Sequence, residues 1–251
     1  MLVEGRHFYR KHSGYLIGKK SLSVNISDIA AMGGVPTACV VSLGVPSSID
    51  VKFIDDLYRG IKSAAKKFDV DLVGGDTVGS NEIIVNIALL GEVEKDNLVL
   101  RSSAKIGDAV FVTGELGGSI KGRHLDFTPR LKEARFLVKN FDIHSMIDVS
   151  DGLLADLGHI IEMSEVGSVI YEKEIPISKA AKDFDSAVRD GEDFELVFTM
   201  SQEDGDGLIS RWPFKTKLSM IGEICKRGEG YCMERGSGIK EKIKAEGYCH
   251  F

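Results

Sequence analysis

Long apolar runs are missing from this chain, and no apolar core follows Met1-Leu2-Val3-Glu4-Gly5-Arg6-His7. A membrane helix needs about 20 consecutive apolar residues and a secretory signal about 7–15. Neither class fits, and a cytoplasmic location is the expectation. Cysteine is scarce: Cys39, Cys225, Cys232 and Cys249 stand at spacings unlike a zinc ribbon or a redox pair, which leaves buried or incidental thiols. The histidines show no ligand pairing either, since His7 and His12 are five apart, off the i, i+4 face of a helical metal site. Excess positive charge is absent; a formal net charge of −6 argues against a nucleic-acid footprint. It leaves a phosphate ligand open, because a bound divalent cation reverses the local field. There is no Walker loop, no GxGxxG, no short-period repeat and no low-complexity segment.

What is present suffices for a real core: 251 residues, 43% of them hydrophobic, make one large domain or two of ordinary size. Residues 1–20 are mixed and polar and carry no strand signal. From Ser21 a helical period appears, Leu22, Ile26, Ile29 and Ala30, stopped by Gly33-Gly34 and Pro36. Thr37 to Val45 predicts a strand. Val51 to Phe68 is the clearest helix, with Phe53, Ile54, Leu57, Tyr58, Ile61, Ala64, Ala65 and Phe68 on one stripe. A short strand at Val70–Val73, broken by Gly74-Gly75, and another at Ile83–Val93 complete a layer in which one helix face covers a sheet.

Glu94 to Lys105 is charged and aperiodic, the best linker, so the chain divides into residues 1–97 and 98–251. Beyond it the pattern predicts strands at Ala109–Thr113, around Met146-Ile147, at Ser168–Glu172, Phe194–Met200 and Lys217–Ile224. Helices are expected at Leu131–Phe141, from Leu153 to Ile161, from Ser178 to about Arg189, and after a Ser201 cap. The tail is glycine-punctuated. The fold class is α/β (α+β).

The chemistry concentrates in acids. Asp148 ends a strand, and Ser150 and Asp151 stand where a helix begins, with Ser150 as the natural N-cap. Free N–H groups and the macrodipole there favour phosphate. Asp76 follows Gly74-Gly75, and Asp28 shares a helix face with Asn25. Several carboxylates drawn together would repel and raise one another's pKa, so convergence implies a hard cation such as Mg²⁺. The alternative reading makes Asp148 a strand end, Asp151 a first-turn acid and Asp28 a solvated one. Gly114–Gly118 reads as an ordinary tight turn. Gly191-Glu192-Asp193-Phe194-Glu195 carries three acids before a buried strand, either a site or a solvated loop.

Leu2-Val3-Glu4-Gly5-Arg6-His7-Phe8, Ser23-Val24-Asn25-Ile26-Ser27-Asp28-Ile29-Ala30-Ala31-Met32-Gly33-Gly34, Gly74-Gly75-Asp76-Thr77, Asp148–Leu153, Gly191–Leu196 and the ending Gly247-Tyr248-Cys249-His250-Phe251 together resemble the thiamine-monophosphate kinases. That family lies in the aminoimidazole ribonucleotide synthetase superfamily. The resemblance spans the chain in order. It implies a two-domain fold, an N-terminal barrel-forming sheet with covering helices and a C-terminal α/β domain, and a homodimer through the N-terminal domains. It implies transfer of the ATP γ-phosphoryl group to thiamine phosphate with Mg²⁺, and no covalent or general-base residue. By similarity Asp28, Asp76, Asp148 and Asp151 hold the metal; Tyr58, Gly75, Arg101 and Ser150 meet ATP; His7, Glu192 and Tyr248 bind thiamine phosphate.

The family's Gly-Asp-Asp segment, expected upstream of the Leu-x-Glu-Gly-x-His-Phe motif, has no counterpart before Met1. A binding protein for nucleotide or thiamine phosphate with weak or no catalysis is therefore the alternative, as is another ATP-using superfamily member. Cys249 followed by His250-Phe251 argues against the hydrogenase-maturation branch, whose chains end in cysteine.

Overall fold

The computed structural model describes residues 1–248; Cys249, His250 and Phe251 of the final motif lie outside them. The first half builds a four-stranded sheet from β1 (Leu2–Val3), β2 (Val35–Val45), β3 (Asp71–Gly79) and β4 (Ile84–Glu92), in the order β1-β4-β2-β3. β2 runs parallel to β3 and antiparallel to β4. Two 18-residue helices, α1 (Gly14–Ala31) and α2 (Val51–Phe68), cover one face of it. Val41, Leu43, Val85 and Ile87 point into that core against Leu22, Ile26, Leu57 and Ile61, in keeping with the period-2 alternation of strands.

Four expectations change here. Leu2–Val3 does form a strand, because its partners Ile84 and Val85 on β4 supply the pairing that the local sequence cannot show. β3 continues through Gly74-Gly75: a Cβ at Gly75 would lie 2.1 Å from the Val41 carbonyl oxygen, so the glycine permits the approach instead of ending the strand. α1 begins at Gly14, capped by Ser13, whose Oγ accepts from Leu16 N at 3.3 Å. Its period is faint because helix and sheet neighbours bury it nearly all round, Ile17, Lys20, Ser21, Leu22, Ser23, Ile26 and Ala30 alike. The fourth change, at Ser150, belongs to the site below.

The second half carries a seven-stranded sheet, mostly antiparallel. Its strands are β5 (Ala109–Thr113), β6 (Ile143–Asp148), β7 (Gly167–Tyr171), β8 (Leu196–Met200), β9 (Leu218–Cys225), β10 (Tyr231–Glu234) and β11 (Lys240–Lys242), ordered β11-β10-β7-β9-β5-β8-β6. The last two, in the glycine-punctuated tail, are too short for a period to reveal. α4 (Leu153–Met163) and α5 (Phe184–Arg189) lie on one face, while α3 (Leu131–Asn140) and α6 (Gln202–Arg211) lie on the other. α5 is shorter than the Ser178–Arg189 span predicted; Asp183 starts it with a capping box to Ser186. Ser201 caps α6 as expected, accepting from Asp204 N at 3.1 Å. Ala30 and Ala31 of α1 enter the core beneath Phe111 and Phe198, so α1 joins the two sheets and brings Asp28 to the end of β6. Among the described residues no helix is long and apolar enough to cross a membrane.

Candidate active site

Two loops are tied together at this junction. The turn after β6 accepts and donates along the segment before β8: Val149 N to Glu195 O at 2.7 Å, Phe194 N to Val149 O at 2.8 Å and Glu192 N to Ser150 O at 2.7 Å. Gly152 has φ +110°, and a Cβ there would lie 2.6 Å from the Arg189 carbonyl oxygen. A Cβ on Gly191 would lie 2.4 Å from that of Ser150. Only glycine permits both approaches. Gly152, not Ser150, is the N-cap of α4, which corrects the assignment made from sequence. Among the described residues no side chain caps α4; Asp156 reaches back from its first turn to accept from Asp151 N at 2.9 Å, which pins the preceding loop.

Asp148 ends β6, buried, and Ser27 Oγ donates to its Oδ2 at 2.7 Å. Burial first, then the charge of Asp28, push its carboxyl up to about 7, against the opposing pull of the Ser27 hydrogen bond and Arg101. Asp28 is raised too, by burial and against Arg101; its side chain reaches the cavity surface, so solvent relieves it more than the enclosed Asp148. Asp156 is pushed up to about 8 by burial and then by Asp148. A spot that concentrates desolvated carboxylates this way suits a cation.

Each acid of the Gly191–Glu195 segment has basic or polar partners, so the segment is a built structure and not a solvated loop. Glu192 Oε2 meets Lys20 Nζ, and His124 Nδ1 at 2.8 Å. Burial alone would raise Glu192; the His124 hydrogen bond and the Lys20 charge outweigh it and hold it below its ordinary value. Asp193 accepts from Ser119 Oγ, Gly117 N at 2.7 Å and Arg123 at 2.8 Å. Gly114–Gly118 is thus a turn whose backbone cradles a protein carboxylate. Glu195 takes a bidentate pair from Arg130 at 2.6 Å and 2.6 Å, and Thr113 Oγ1 at 2.9 Å.

A cavity of about 680 Å³ opens over this junction, lined by His7, Asp28, Asp148, Ser150, Asp151, Glu192 and Tyr248, with Arg6 and Arg189. Tyr248 arrives there through the tail, its N–H bonded to Asp151 O at 2.8 Å. A neighbouring cavity of about 460 Å³ shares Asp28 and Asp148 and adds Arg101. Asp28 and Asp148 thus stand on the wall that the two cavities share. Tyr58, Gly75 and Asp76 lie elsewhere, along a hollow of about 620 Å³ on β3. Among the described residues, no three His, Cys, Asp or Glu side chains converge as a metal cluster.

Sequence reasoning overlooked Ser27, Lys20 and His124. Lys20 had a signal, since it lies three after Ile17 on the buried stripe of α1, but the helix had been started after it. His124, in a short helical turn at Arg123–Leu125, had none.

Family models agree with this architecture. The N-terminal domain of AIR synthase related proteins matches residues 1–93, and their C-terminal domain matches 73–230. Thiamine-monophosphate kinase of Rhodopirellula baltica is 35% identical over 244 residues, covering 93% of this chain and 76% of that one. The Bacillus subtilis thiamine-monophosphate kinase is 35% identical over 280 residues, covering 100% and 86%. The solved structure of AaThiL complexed with AMPPCP and TMP superposes with a TM-score of 0.87 at 30% identity, over 100% of this chain and 85% of that one. With both family models matched in order, and relatives of this identity spanning nearly its whole length, the chain belongs to the thiamine-monophosphate kinases of the AIR synthase related family.

Proposed function

We propose that the chain transfers the γ-phosphoryl group of ATP directly and in line to thiamine phosphate, forming thiamine diphosphate, with Mg²⁺. The observation that carries this reading is one cavity of about 680 Å³ holding Asp28, Asp148 and Asp151 together with His7 and Glu192. Its size suits a small-molecule ligand.

The donor chemistry fits Mg²⁺. Carboxylate oxygens are hard ligands, and the buried Asp148, raised by desolvation and by Asp28, is relieved by a cation. Such an ion takes few protein ligands and completes its shell with water and phosphate. Asp28 and Asp148, which border both cavities, would hold it, and Asp151 on the wall of the larger one would reach it through water. Asp76, exposed on β3, is assigned to metal by the family motif alone. The chemistry such an ion would supply there is neutralisation of phosphate charge.

The remaining work falls to the chain. Ser150 faces phosphate and Arg101 stabilises the nucleotide's charge from the second cavity, with Tyr58 and Gly75 assigned to ATP by motif. Glu192 and His7 hold thiamine phosphate, whose thiazolium cation and aminopyrimidine suit a carboxylate, and Tyr248 offers an aromatic face. The acceptor phosphate is already anionic, so positioning and charge neutralisation replace a general base. We place the domain division at 97/98, the protein in the cytoplasm, and dimerisation on the N-terminal sheet.

Incubation with ATP, Mg²⁺ and thiamine phosphate is expected to yield thiamine diphosphate and no labelled protein. Asp148→Asn should lower kcat by roughly 10²–10³ with little loss of melting temperature. A trapped phosphoenzyme would refute direct transfer; equal loss of rate and stability would return Asp148 to a structural role.

A further inference from the structure

Lysine is almost never fully buried without a reason, yet Lys20, in the middle of α1, has 0% exposure. Its ammonium has three hydrogens and three candidate acceptors: the His7 carbonyl oxygen at 2.8 Å, Glu192 Oε2, and His124 Nδ1 at 2.9 Å. His124 Nδ1 also lies 2.8 Å from Glu192 Oε2, and one ring nitrogen cannot serve both partners in the same tautomer. Protonated, it donates to Glu192; bare, it accepts from Lys20. In either tautomer Lys20 stays on Glu192, and the same ammonium fixes the backbone at His7.

Both tethered residues face the large cavity, whereas Lys20 and His124 do not line it. His124 lines a smaller adjoining pocket of about 280 Å³, with Glu192 and His7 in the shared wall. Lys20 therefore works through other residues. What it holds is not at rest: Glu192 has φ +70° and Phe194 φ +52°, a left-handed backbone that non-glycine residues adopt at a cost and that persists where surroundings over-determine it. Phe194 is clamped by stacking on Phe127, ring centroids 4.2 Å apart. Glu192 is clamped by Lys20 and His124.

We propose that Lys20, assisted by His124, is a positioning residue that locks the Glu192 carboxylate and the His7 segment into one preformed wall, and so sets affinity for the thiazolium-bearing acceptor rather than for the nucleotide. The inference rests on the functional reading above, in which Glu192 and His7 hold thiamine phosphate. It adds a division of labour: α1 serves the two ends of the cavity separately, Asp28 the phosphates and Lys20 the organic end. Burial pushes the Lys20 ammonium down while the charge of Glu192 opposes it, so neither partner is comfortable alone.

The test compares Lys20→Met, which keeps the length and drops the charge, with the double variant Lys20→Met/Glu192→Gln, which leaves no stranded carboxylate. In Lys20→Met the KM for thiamine phosphate should rise roughly 10–100-fold, the scale of a misplaced contact, with the KM for ATP unchanged. The double variant should recover melting temperature lost by the single one, which shows that the stability loss comes from the stranded carboxylate; the KM split in Lys20→Met carries the test of positioning. A purely structural lysine would give parallel changes in both KM values; that result overturns the proposal, as does an unchanged KM for thiamine phosphate. Titration calorimetry separates this from the functional reading. If the unaltered chain binds thiamine phosphate without turnover, the kinase reading fails while weaker binding by Lys20→Met still supports positioning. If it neither binds nor turns over thiamine phosphate, both fall.

Discussion

Glu192 shows how a residue at this site couples stability to pH. Its folded-state pKa is held below the ordinary 4.5, so in the unfolded chain it takes up a proton at a higher pH than in the folded one. The stabilisation is therefore complete above about pH 4.5 and drains away as pH falls through the depressed folded value. Glu192→Gln should flatten the acid limb of melting temperature against pH. At pH 7 it should also lie below the unaltered chain, because breaking a buried pair strands the Lys20 charge at a cost of about 3 kcal/mol. Parallel acid limbs in a thermal scan from pH 3 to pH 7 would show that another carboxylate governs acid unfolding. The acids of this site were legible in the sequence, since Asp28, Asp148, Asp151 and Glu192 stand in motifs with glycine or serine beside them. Their counter-charges were not. Lys20 is 172 residues from Glu192 and His124 is 68, and no local spacing records pairings of that range.

Among the elements, the two N-terminal helices differ in how plainly the sequence announces them. α2 has solvent on one side and the sheet on the other, so its apolar stripe is clean. α1 is enclosed by α2, the first sheet and α3, and its period blurs; what identifies it instead is glycine. Gly18 and Gly60 mark a helix crossing at which backbones touch: an added Cβ would sit 1.9 Å from the carbonyl oxygen of Leu57 in one case and of Tyr15 in the other. Gly18→Ala should therefore force the helices apart and destabilise by about 1–3 kcal/mol or more, with Lys20 and Asp28 displaced on the same helix. Gly207, inside α6, has nothing within 4 Å of its added Cβ. Gly207→Ala should stabilise by about 0.5–1 kcal/mol through helix propensity alone. Chemical denaturation of the two variants checks the pair. Equal and small effects would mean that α1 and α2 slide freely and that the crossing does not fix the site.

At the scale of the whole molecule, the first sheet is finished on one face only. Val41 and Leu43 are buried under α1 and α2, whereas Val40 on β2 and Leu90 on β4 alternate to the other side, 40% and 69% exposed. Val73 and Val78 on the edge strand β3 are 66% and 57% exposed, and among the described residues β3 pairs with β2 alone. An apolar sheet face beside an unpaired edge is a surface that aqueous solvent penalises and that proteins normally cover. In the second sheet, among the described residues, helices lie on both sides. The sequence predicts a strand at Thr37–Val45, but Val40-Val41-Ser42-Leu43 shows no clean apolar alternation, so only the structure shows which side stays bare. Self-association through this face would enclose these residues, while the hollow lined by Tyr58, Gly75 and Asp76 lies along the edge strand β3. Leu90→Lys places a charge on that face, towards the end of β4, while leaving the covered side untouched. Sedimentation should accordingly give a dimer for the unaltered chain and a monomer for Leu90→Lys, with monomer stability within about 0.5 kcal/mol, as for surface substitutions generally. A dimer that survives Leu90→Lys would place the contact elsewhere and leave the bare face without an occupant.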